Sequence, residues 1–219
     1  MMEQDKNLDQ DPVDAIFALY GIAEPWVAMP ATGIANRIYA TEQVVLRIAT
    51  DHPDAVSDAR TESVAAPVAH AAGILTPQLI AFDDSRTLID RPFSLWERVH
   101  GETLGLINLS QNQLADLWRQ VGNQLFRLHD RVKVCDDPNG YLDTPGREID
   151  LYPLLNRLVD SHRMDDTTAK AISDLISELA PHINASADDR FIHDDIHVCN
   201  IMCLATGKQI GRASCRERV

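Results

Sequence analysis

The chain has 219 residues, of which 45% are hydrophobic and 24% are charged, as in ordinary globular enzymes of one large or two small domains. Its formal net charge is −13 at pH 7, which disfavours a nucleic-acid partner because phosphate backbones would be repelled. No apolar run approaches a membrane span, and the polar, acidic N-terminal residues differ from a signal or transit peptide, so we expect a cytoplasmic protein that does not bind membranes.

The first part of the chain predicts a helix followed by a small sheet. Residues 11–21 contain an N-cap, a proline at the first helical position, an apolar stripe and a terminal glycine, which is typical of a short amphipathic helix. Three extended segments follow, joined by one loop and one tight turn, and they cover residues 26–29, 37–41 and 43–49. Three antiparallel strands are therefore expected.

Arg47 places a charge inside the apolar third strand, where a charge normally needs a partner. Glu62, in the helical stretch at residues 58–66, is the candidate partner. Pro67 predicts that this helix kinks or splits near Ala66, after the half that carries Glu62. Gly73 predicts the end of the helix. The alternative is that Arg47 faces solvent from an edge strand.

The middle of the chain predicts a second hairpin and then a change to helical periodicity. The hairpin is expected from residues 78–82 and 86–90, and residues 93–102 predict a strand that leaves the sheet. A capping box at Ser110 and Gln113 then begins a long, largely buried helix with a stripe of apolar residues. Two more helices are predicted, at residues 149–159 and 168–179.

The segment from Phe191 to Met202 contains the most informative spacing, with His193, then Asp195, then Asn200 five residues later. Phosphoryl transfer needs a carboxylate that accepts the substrate hydroxyl proton and an amide oxygen on Mg²⁺, both on one short rigid loop. Apolar residues on both sides predict short buried strands that clamp this loop. The alternative is a polar turn between two strands with a structural histidine.

This segment resembles the His-Gly-Asp-Leu-His-x-x-Asn loop of the aminoglycoside phosphotransferase and choline kinase-like family, which are small-molecule relatives of protein kinases. The resemblance implies that Asp195 is the catalytic base and Asn200 a magnesium ligand, and that His193 and His197 brace the loop. Asp194 stands where the family usually has glycine. It either raises the pKa of one carboxyl group by like-charge repulsion, if both are buried, or points to solvent.

The same resemblance implies bound ATP (or GTP) and Mg²⁺. Arg47 and Glu62 would replace the lysine–glutamate pair that holds the α- and β-phosphates of the nucleotide. The loop at residues 31–36 is either a phosphate-covering turn or an ordinary hairpin loop. Backbone groups of Glu97 and Val99 would meet the adenine edge, unless this segment is a simple strand leaving its sheet.

The cysteines show no zinc-type pairing, so free thiols are expected; they are Cys135, Cys199, Cys203 and Cys215. Cys199 lies inside the predicted catalytic loop, and a cysteine hydrolase is the alternative that it raises. A cysteine nucleophile would need an activating base arranged around it. The spacing of the two loop histidines fits the phosphotransferase better.

Residues 210–219 predict a non-native tail, because the read-through of a common short-read sequencing adapter, ATC GGA AGA GCG TCG TGT AGG GAA AGA GTG, encodes this peptide. A natural basic tail that contacts phosphate is the alternative. In the resembled family, the next element carries an aspartate that binds the second magnesium ion. The chain has no such element, so we expect a C-terminally truncated, inactive fragment.

The order of strands, then helices, then the reactive loop predicts an α+β, two-lobed protein-kinase-like fold with an antiparallel-sheet N-lobe and a largely helical, incomplete C-lobe. The expected domains are a nucleotide-binding lobe, a partial helical lobe with the catalytic loop, and the tail, at residues 1–99, 100–209 and 210–219.

We therefore expect an ATP-dependent phosphotransferase that acts on a hydroxyl of a small molecule, of the aminoglycoside type or related. The acidic composition would favour a cationic substrate. Two alternatives remain: a metabolic kinase for choline, homoserine or a sugar amine, and a nucleotide-binding pseudokinase. The sequence contains no signal for an oligomeric state.

Overall fold

A computed structural model describes residues 10–30, 34–142, 152–185, 196–204 and 209–212. The chain divides into two compact units, residues 1–143 with 190–219 and residues 144–189. None of the helices in these described ranges has the length and apolar character needed to cross a membrane. The predicted boundary between lobes near residue 99 stays a prediction.

The larger unit begins with helix α1, Gln10–Leu19, followed by a five-stranded antiparallel sheet. The strands are β1 (Val27–Ala28), β2 (Asn36–Ala40), β3 (Val44–Ala49), β4 (Leu79–Asp83) and β5 (Phe93–Glu97). Their order in the sheet is β1-β2-β3-β5-β4. The helix and the first three strands confirm the prediction, including the tight turn between β2 and β3.

The two faces of this sheet differ because side chains alternate along each strand. One face packs on α1, and its core consists of Tyr39, Leu46, Ile48, Phe93 and Leu95 with Val13, Ile16 and Phe17. The opposite face carries Ile38, Ala40, Val45, Arg47, Ser94 and Trp96. Arg47 lies directly across from Ser94, and Val45 across from Trp96. The alternation of β3 therefore turns Arg47 away from the apolar core.

The second predicted hairpin is wrong in its second strand. β4 pairs with β5, and residues 86–90 form no strand. Local hydrogen bonds turn the chain here: the N–H of Ser85 donates to Asp83 Oδ1 (2.7 Å), and the N–H of Thr87 donates to Ser85 Oγ (3.3 Å). Arg86 has a left-handed backbone, with φ 58°. Such side-chain bonds compete with strand pairing, and the four buried residues that begin β5 offer β4 a better partner.

The helix that carries Glu62, α2, runs without interruption over Ala55–Ala71. Of the two predicted effects of Pro67, the split is wrong and the kink stays a prediction, while the expected end is confirmed because Gly73 has a positive φ of 79°. A proline removes one backbone donor and strains its helix, so other contacts must hold the helix together. Alanines on both sides of Pro67 supply them, since Ala65, Ala66 and Ala69 are buried.

The end of α2 is anchored to the long helix α3, Gln111–Arg131. Residues from both helices share one apolar cluster, which contains Ala65, Ala69, Ile74, Leu128 and Val132. Arg131 donates from Nη1 to the carbonyl oxygen of Ala72 (2.7 Å), beside the last turn of α2. A cation suits this position because the carbonyl groups at a helix C-terminus carry partial negative charge. The position of Glu62 is therefore tied to α3.

Helix α3 begins as predicted and is more exposed than predicted. Ser110 Oγ accepts from the N–H of Gln113 (3.3 Å), and Gln113 Oε1 accepts from the N–H of Ser110 (3.0 Å), which is the expected capping box. The buried residues are Leu117, Val121 and Leu128, whereas Leu114 and Trp118 are more than a third exposed. The expectation of a largely buried helix is therefore wrong.

A second, three-stranded antiparallel sheet is formed by distant parts of the chain. Its strands are β6 (Glu102–Thr103), β7 (Ile201–Cys203) and β8 (Gln209–Arg212), in that order. Short 3₁₀ turns precede α3 and β7, at Leu104–Leu106 and Val198–Asn200. The predicted strand after the catalytic loop is confirmed as β7.

The structure includes part of the segment that was expected to be a tail. β8 extends to Arg212 and pairs with β7, with Met202 opposite Gly211. The exclusion of residues 210–212 from the fold is therefore corrected. Any short extended segment can satisfy the backbone groups of an exposed strand edge, because pairing uses the main chain rather than the side chains.

The smaller unit contains the last two predicted helices, now bounded as α4 (Tyr152–Asp160) and α5 (Asp166–Ala185). The predicted first residues of α4, at 149–151, lie outside the described residues. Asp165 caps α5 by accepting from the N–H and the hydroxyl of Thr168, at 2.9 and 2.7 Å. These bonds stabilise the ionised carboxylate and lower the pKa of Asp165.

Replacing Leu46 by alanine tests the sheet–helix core. Leu46 is fully buried, so Leu46→Ala should lower the free energy of unfolding by about 2–5 kcal/mol, measured by urea denaturation. Ile80→Ala is the control, since Ile80 lies on the same sheet and is 48% exposed; it should cost less than about 1 kcal/mol. Equal losses for the two variants would contradict the assignment of the core face.

Candidate active site

Arg47 and Glu62 form the ion pair that the sequence predicted. Arg47 Nη1 lies 2.9 Å from Glu62 Oε2, and the two side chains are 13% and 5% exposed. The pair joins β3 to α2 and corrects the alternative of a solvent-facing Arg47. Both charged groups are largely buried, so each needs the other to compensate its charge. The planar guanidinium also matches the geometry of a carboxylate.

An aromatic ring covers the guanidinium of Arg47. The guanidinium carbon lies over the Trp96 ring, 5.3 Å from its centroid, within the range of a cation–π interaction. The indole is 3% exposed, and its Nε1–H donates to Ser94 Oγ (2.7 Å). Ala66 of α2 packs against the same indole. The Arg47 head group is thus held by a carboxylate and by a ring.

A cavity of about 550 Å³ adjoins this cluster, a volume suited to a small ligand. Its wall on the sheet side is the face described above, through Ile38, Ala40, Val45, Arg47 and Trp96. The chain segment after β5 lines it next, and Leu106 and Met202 contribute further apolar surface. The wall combines this apolar surface with charged residues, which include the cations Arg47 and Arg98 and the carboxylates Glu97 and Glu102. A cavity of this composition suits a flat, partly apolar group that also carries an anionic tail within reach of Arg47.

Both residues predicted to meet the adenine edge, Glu97 and Val99, line this cavity. The N–H of Glu97 donates to the carbonyl oxygen of Gln78 (2.9 Å), while the N–H of Arg98 donates to Gln43 on the opposite side (2.8 Å). The backbone polar groups of Glu97 therefore point away from β3. Pro77, which has no N–H to offer, lies beside it along the cavity.

The predicted catalytic loop is described only from Ile196 onward. Asp195, His193 and Asp194 lie outside the described residues, as do residues 31–33 of the predicted phosphate-covering turn. His197 Nδ1 accepts from the N–H of Cys199 (3.2 Å), which braces the 3₁₀ turn before β7.

Asn200 ends that turn, and its N–H donates to the carbonyl oxygen of His197 (2.9 Å). It borders a gap of about 10 Å³ next to Val121 and Gln124 of α3, rather than the large cavity. Within the described ranges, no cluster of three or more His, Cys, Asp or Glu side chains could hold a metal ion. A magnesium site at Asn200 therefore stays a prediction.

The cysteines that the structure describes are free thiols, as predicted. Cys199 is exposed on the turn, and its backbone N–H, rather than its thiol, contacts the histidine. Cys203 is fully buried in the cluster around Leu117, and burial raises the pKa of its thiol. The two thiols therefore differ in access, and burial makes the reactive thiolate of Cys203 harder to form.

The sequence predicts only Arg47, Glu97 and Val99 among the residues that line the cavity; the residues it does not single out include Ile38, Trp96 and Met202. Alternation along β3 is a sequence signal for Val45, which shares the face of Arg47, but Ile38 and Trp96 lie on the neighbouring strands β2 and β5. The cross-strand register could not be read from the sequence. For Met202 the sequence predicts only an apolar residue next to the catalytic loop.

Breaking the ion pair should destabilise the fold more than removing both charges. Arg47→Met removes the cationic partner of the buried Glu62, and a loss of about 3 kcal/mol is expected in urea denaturation. The double variant Arg47→Met/Glu62→Gln should recover part of this loss, because no uncompensated charge remains. Additive effects in the double-mutant cycle would show that the two side chains do not interact.

Thiol labelling should distinguish the two cysteines near β7. A maleimide at pH 7 should modify Cys199 rapidly and Cys203 only after denaturation, since Cys203 is buried and its pKa is raised. Peptide mass spectrometry assigns each site, and Cys199→Ser provides the control. Rapid labelling of Cys203 in the folded protein would contradict its position in the core.

Comparison with known proteins identifies the family of the chain. The chain belongs to the phosphotransferase enzyme family, whose profile matches residues 28–211. None of the curated proteins matches the chain in sequence. The predicted family is thus confirmed.

Solved structures agree in fold. A protein from Ralstonia eutropha, assigned as an aminoglycoside phosphotransferase, has a TM-score of 0.62 and 18% identity, and the match covers 93% of this chain and 63% of that one. An aminoglycoside phosphotransferase bound to GDP and kanamycin has a TM-score of 0.60 and 12% identity, with coverage of 91% and 69%. A choline/ethanolamine kinase family protein from Mesorhizobium loti has a TM-score of 0.58 and 14% identity, with coverage of 96% and 65%.

These similarities confirm the predicted α+β, two-lobed protein-kinase-like fold. At identities of 12–18% they establish the fold alone. The chain spans 63% of the length of the Ralstonia protein.

Proposed function

We propose that the protein is an ATP- or GTP-dependent phosphotransferase that transfers a phosphoryl group to a hydroxyl of a small molecule. The observation that carries the proposal is the buried Arg47–Glu62 pair at the wall of a cavity of about 550 Å³. Membership of the phosphotransferase enzyme family supports it. A structural neighbour crystallised with GDP supports a nucleotide as the ligand.

On the nucleotide side, the residues present fit the group. The apolar side chains of Ile38, Ala40 and Val45 offer a surface for a planar base, and Glu97 and Val99 line the same cavity, where their backbone groups would contact its polar edge. Arg47 would contact the phosphates, because a guanidinium offers several donors to phosphate oxygens. Glu62 would hold the guanidinium in place.

On the chemical side, the proposal assigns the roles that the loop spacing predicts. Asp195 would accept the proton of the attacking hydroxyl and orient it towards the terminal phosphate. Asn200 would provide an amide oxygen for Mg²⁺, which prefers hard oxygen ligands and would neutralise phosphate charge when bound. His193 and His197 would brace the loop; the contact between His197 and the N–H of Cys199 supports that role for His197.

For the acceptor, we propose a cationic small molecule. The net charge of −13 attracts cations over a long range, and aminoglycosides and amino alcohols are both cationic. The aminoglycoside phosphotransferase bound to kanamycin favours the first class. The choline/ethanolamine kinase family protein favours the second, so a metabolic kinase is the second candidate.

Two variants should separate binding from chemistry. Arg47→Met should weaken Mg-ATP or Mg-GTP binding by about tenfold or more in calorimetry, because it removes the guanidinium that would contact the phosphates. Asp195→Asn should leave that affinity nearly unchanged. In the full-length protein that contains this chain, Asp195→Asn should reduce the rate of phosphoryl transfer by at least about a hundredfold, because the general base is lost.

Arg119→Met is the matched control, since Arg119 is 68% exposed on α3 and does not line the cavity. It should leave nucleotide affinity unchanged. A parent chain that binds neither nucleotide, or an Asp195→Asn enzyme with normal turnover, would overturn the proposed function. A panel of kanamycin, choline, homoserine and glucosamine then distinguishes the two acceptor classes.

A further inference from the structure

We propose that Trp96 is a positioning residue that holds the guanidinium of Arg47 at the cavity wall. The inference rests on the proposed function for its nucleotide readout and on the structure for its geometry. Trp96 was not singled out by the sequence. Its ring covers the one cation that β3 presents to the cavity.

The indole is itself held from three directions. Its Nε1–H donates to the hydroxyl of Ser94, two residues earlier on the same face of β5. Val45 lies opposite it in the cross-strand register, and Ala66 of α2 packs against it. With 3% exposure, the ring has little room to change rotamer. A fixed ring can therefore define where a flexible neighbouring side chain lies.

Arg47 needs such a support because its side chain is long and rotates about several bonds. Glu62 fixes one edge of the guanidinium, through an Nη1–Oε2 distance of 2.9 Å. A contact at the edge of a guanidinium does not by itself fix the orientation of its plane, and a ring that lies over the guanidinium restricts that orientation further.

The consequence is a preorganised phosphate contact. A guanidinium that is already oriented loses less conformational entropy when an anion binds, and the affinity rises accordingly. Trp96 also lines the cavity, so it could instead contact the ligand directly. If Trp96 acts through Arg47, the effect of changing Trp96 on nucleotide affinity should depend on whether Arg47 is present. If Trp96 contacts the ligand directly, the effect should not depend on Arg47.

The test compares Trp96→Phe with Trp96→Leu. Both variants lose the hydrogen bond to Ser94 and shorten the side chain, so they differ mainly in the aromatic face. Calorimetry with Mg-ATP should show an affinity about five- to tenfold weaker for Trp96→Leu than for Trp96→Phe, which is the range of a partly buried cation–π contact. In an Arg47→Met background this difference should vanish. Trp118→Leu, on α3, is the control and should bind like the parent.

A second readout needs no nucleotide. In ¹H–¹⁵N NMR spectra, the guanidinium protons of Arg47, assigned by their loss in Arg47→Met, should be shifted upfield by the ring. The shift should persist in Trp96→Phe and disappear in Trp96→Leu.

Three outcomes decide the inference. An unchanged Arg47 signal in Trp96→Leu would overturn it, whatever the nucleotide data show. A Phe–Leu difference in affinity that persists without Arg47 would also overturn it, because Trp96 would then contact the ligand directly. If the parent chain binds no nucleotide, the proposed function fails, and the positioning role is decided by the NMR shift alone.

Discussion

The structure around the cavity depends on one constraint, which is that a strand buried on both faces carries a positive charge. Because side chains alternate along β3, Arg47 cannot share the apolar core with Leu46 and Ile48. Its charge needs an anionic partner in a position that the sheet cannot supply. That partner is Glu62. Helix α2 must therefore lie where the carboxylate of Glu62 can reach the guanidinium of Arg47.

The remaining contacts of α2 keep the helix in the position that this ion pair requires. Small buried alanines let the helix approach its neighbours closely, and its C-terminal end is fastened to α3 through the cluster around Leu128 and the hydrogen bond from Arg131. A buried ion pair adds little to stability by itself, because desolvation offsets much of the attraction. Its value here lies in placing one guanidinium at the cavity wall, where Trp96 covers it.

Local signals were sufficient where one element interacts mainly with itself or with its nearest neighbour. The capping box at Ser110 and the β2–β3 hairpin are of this kind, and both were predicted. The errors arose where distant segments compete. Residues 86–90 have the apolar character of a strand, yet β4 pairs with β5, and Pro67 lies inside a helix that alanine contacts keep continuous. Even the pairing of Arg47 with Glu62 was found from the cost of burying a charge rather than from any pattern between them.

The sequence by itself determined the family and most of the helices and strands, because periodicity, capping and the motif around Asp195 and Asn200 are properties of short segments. The tertiary structure decided which side chains meet. The register that sets Val45 across from Trp96, and the crossing of α2 that brings Ala66 and Glu62 to the same place, depend on packing between segments far apart in the chain. Such contacts depend on the summed packing of many residues, so no local pattern specifies them.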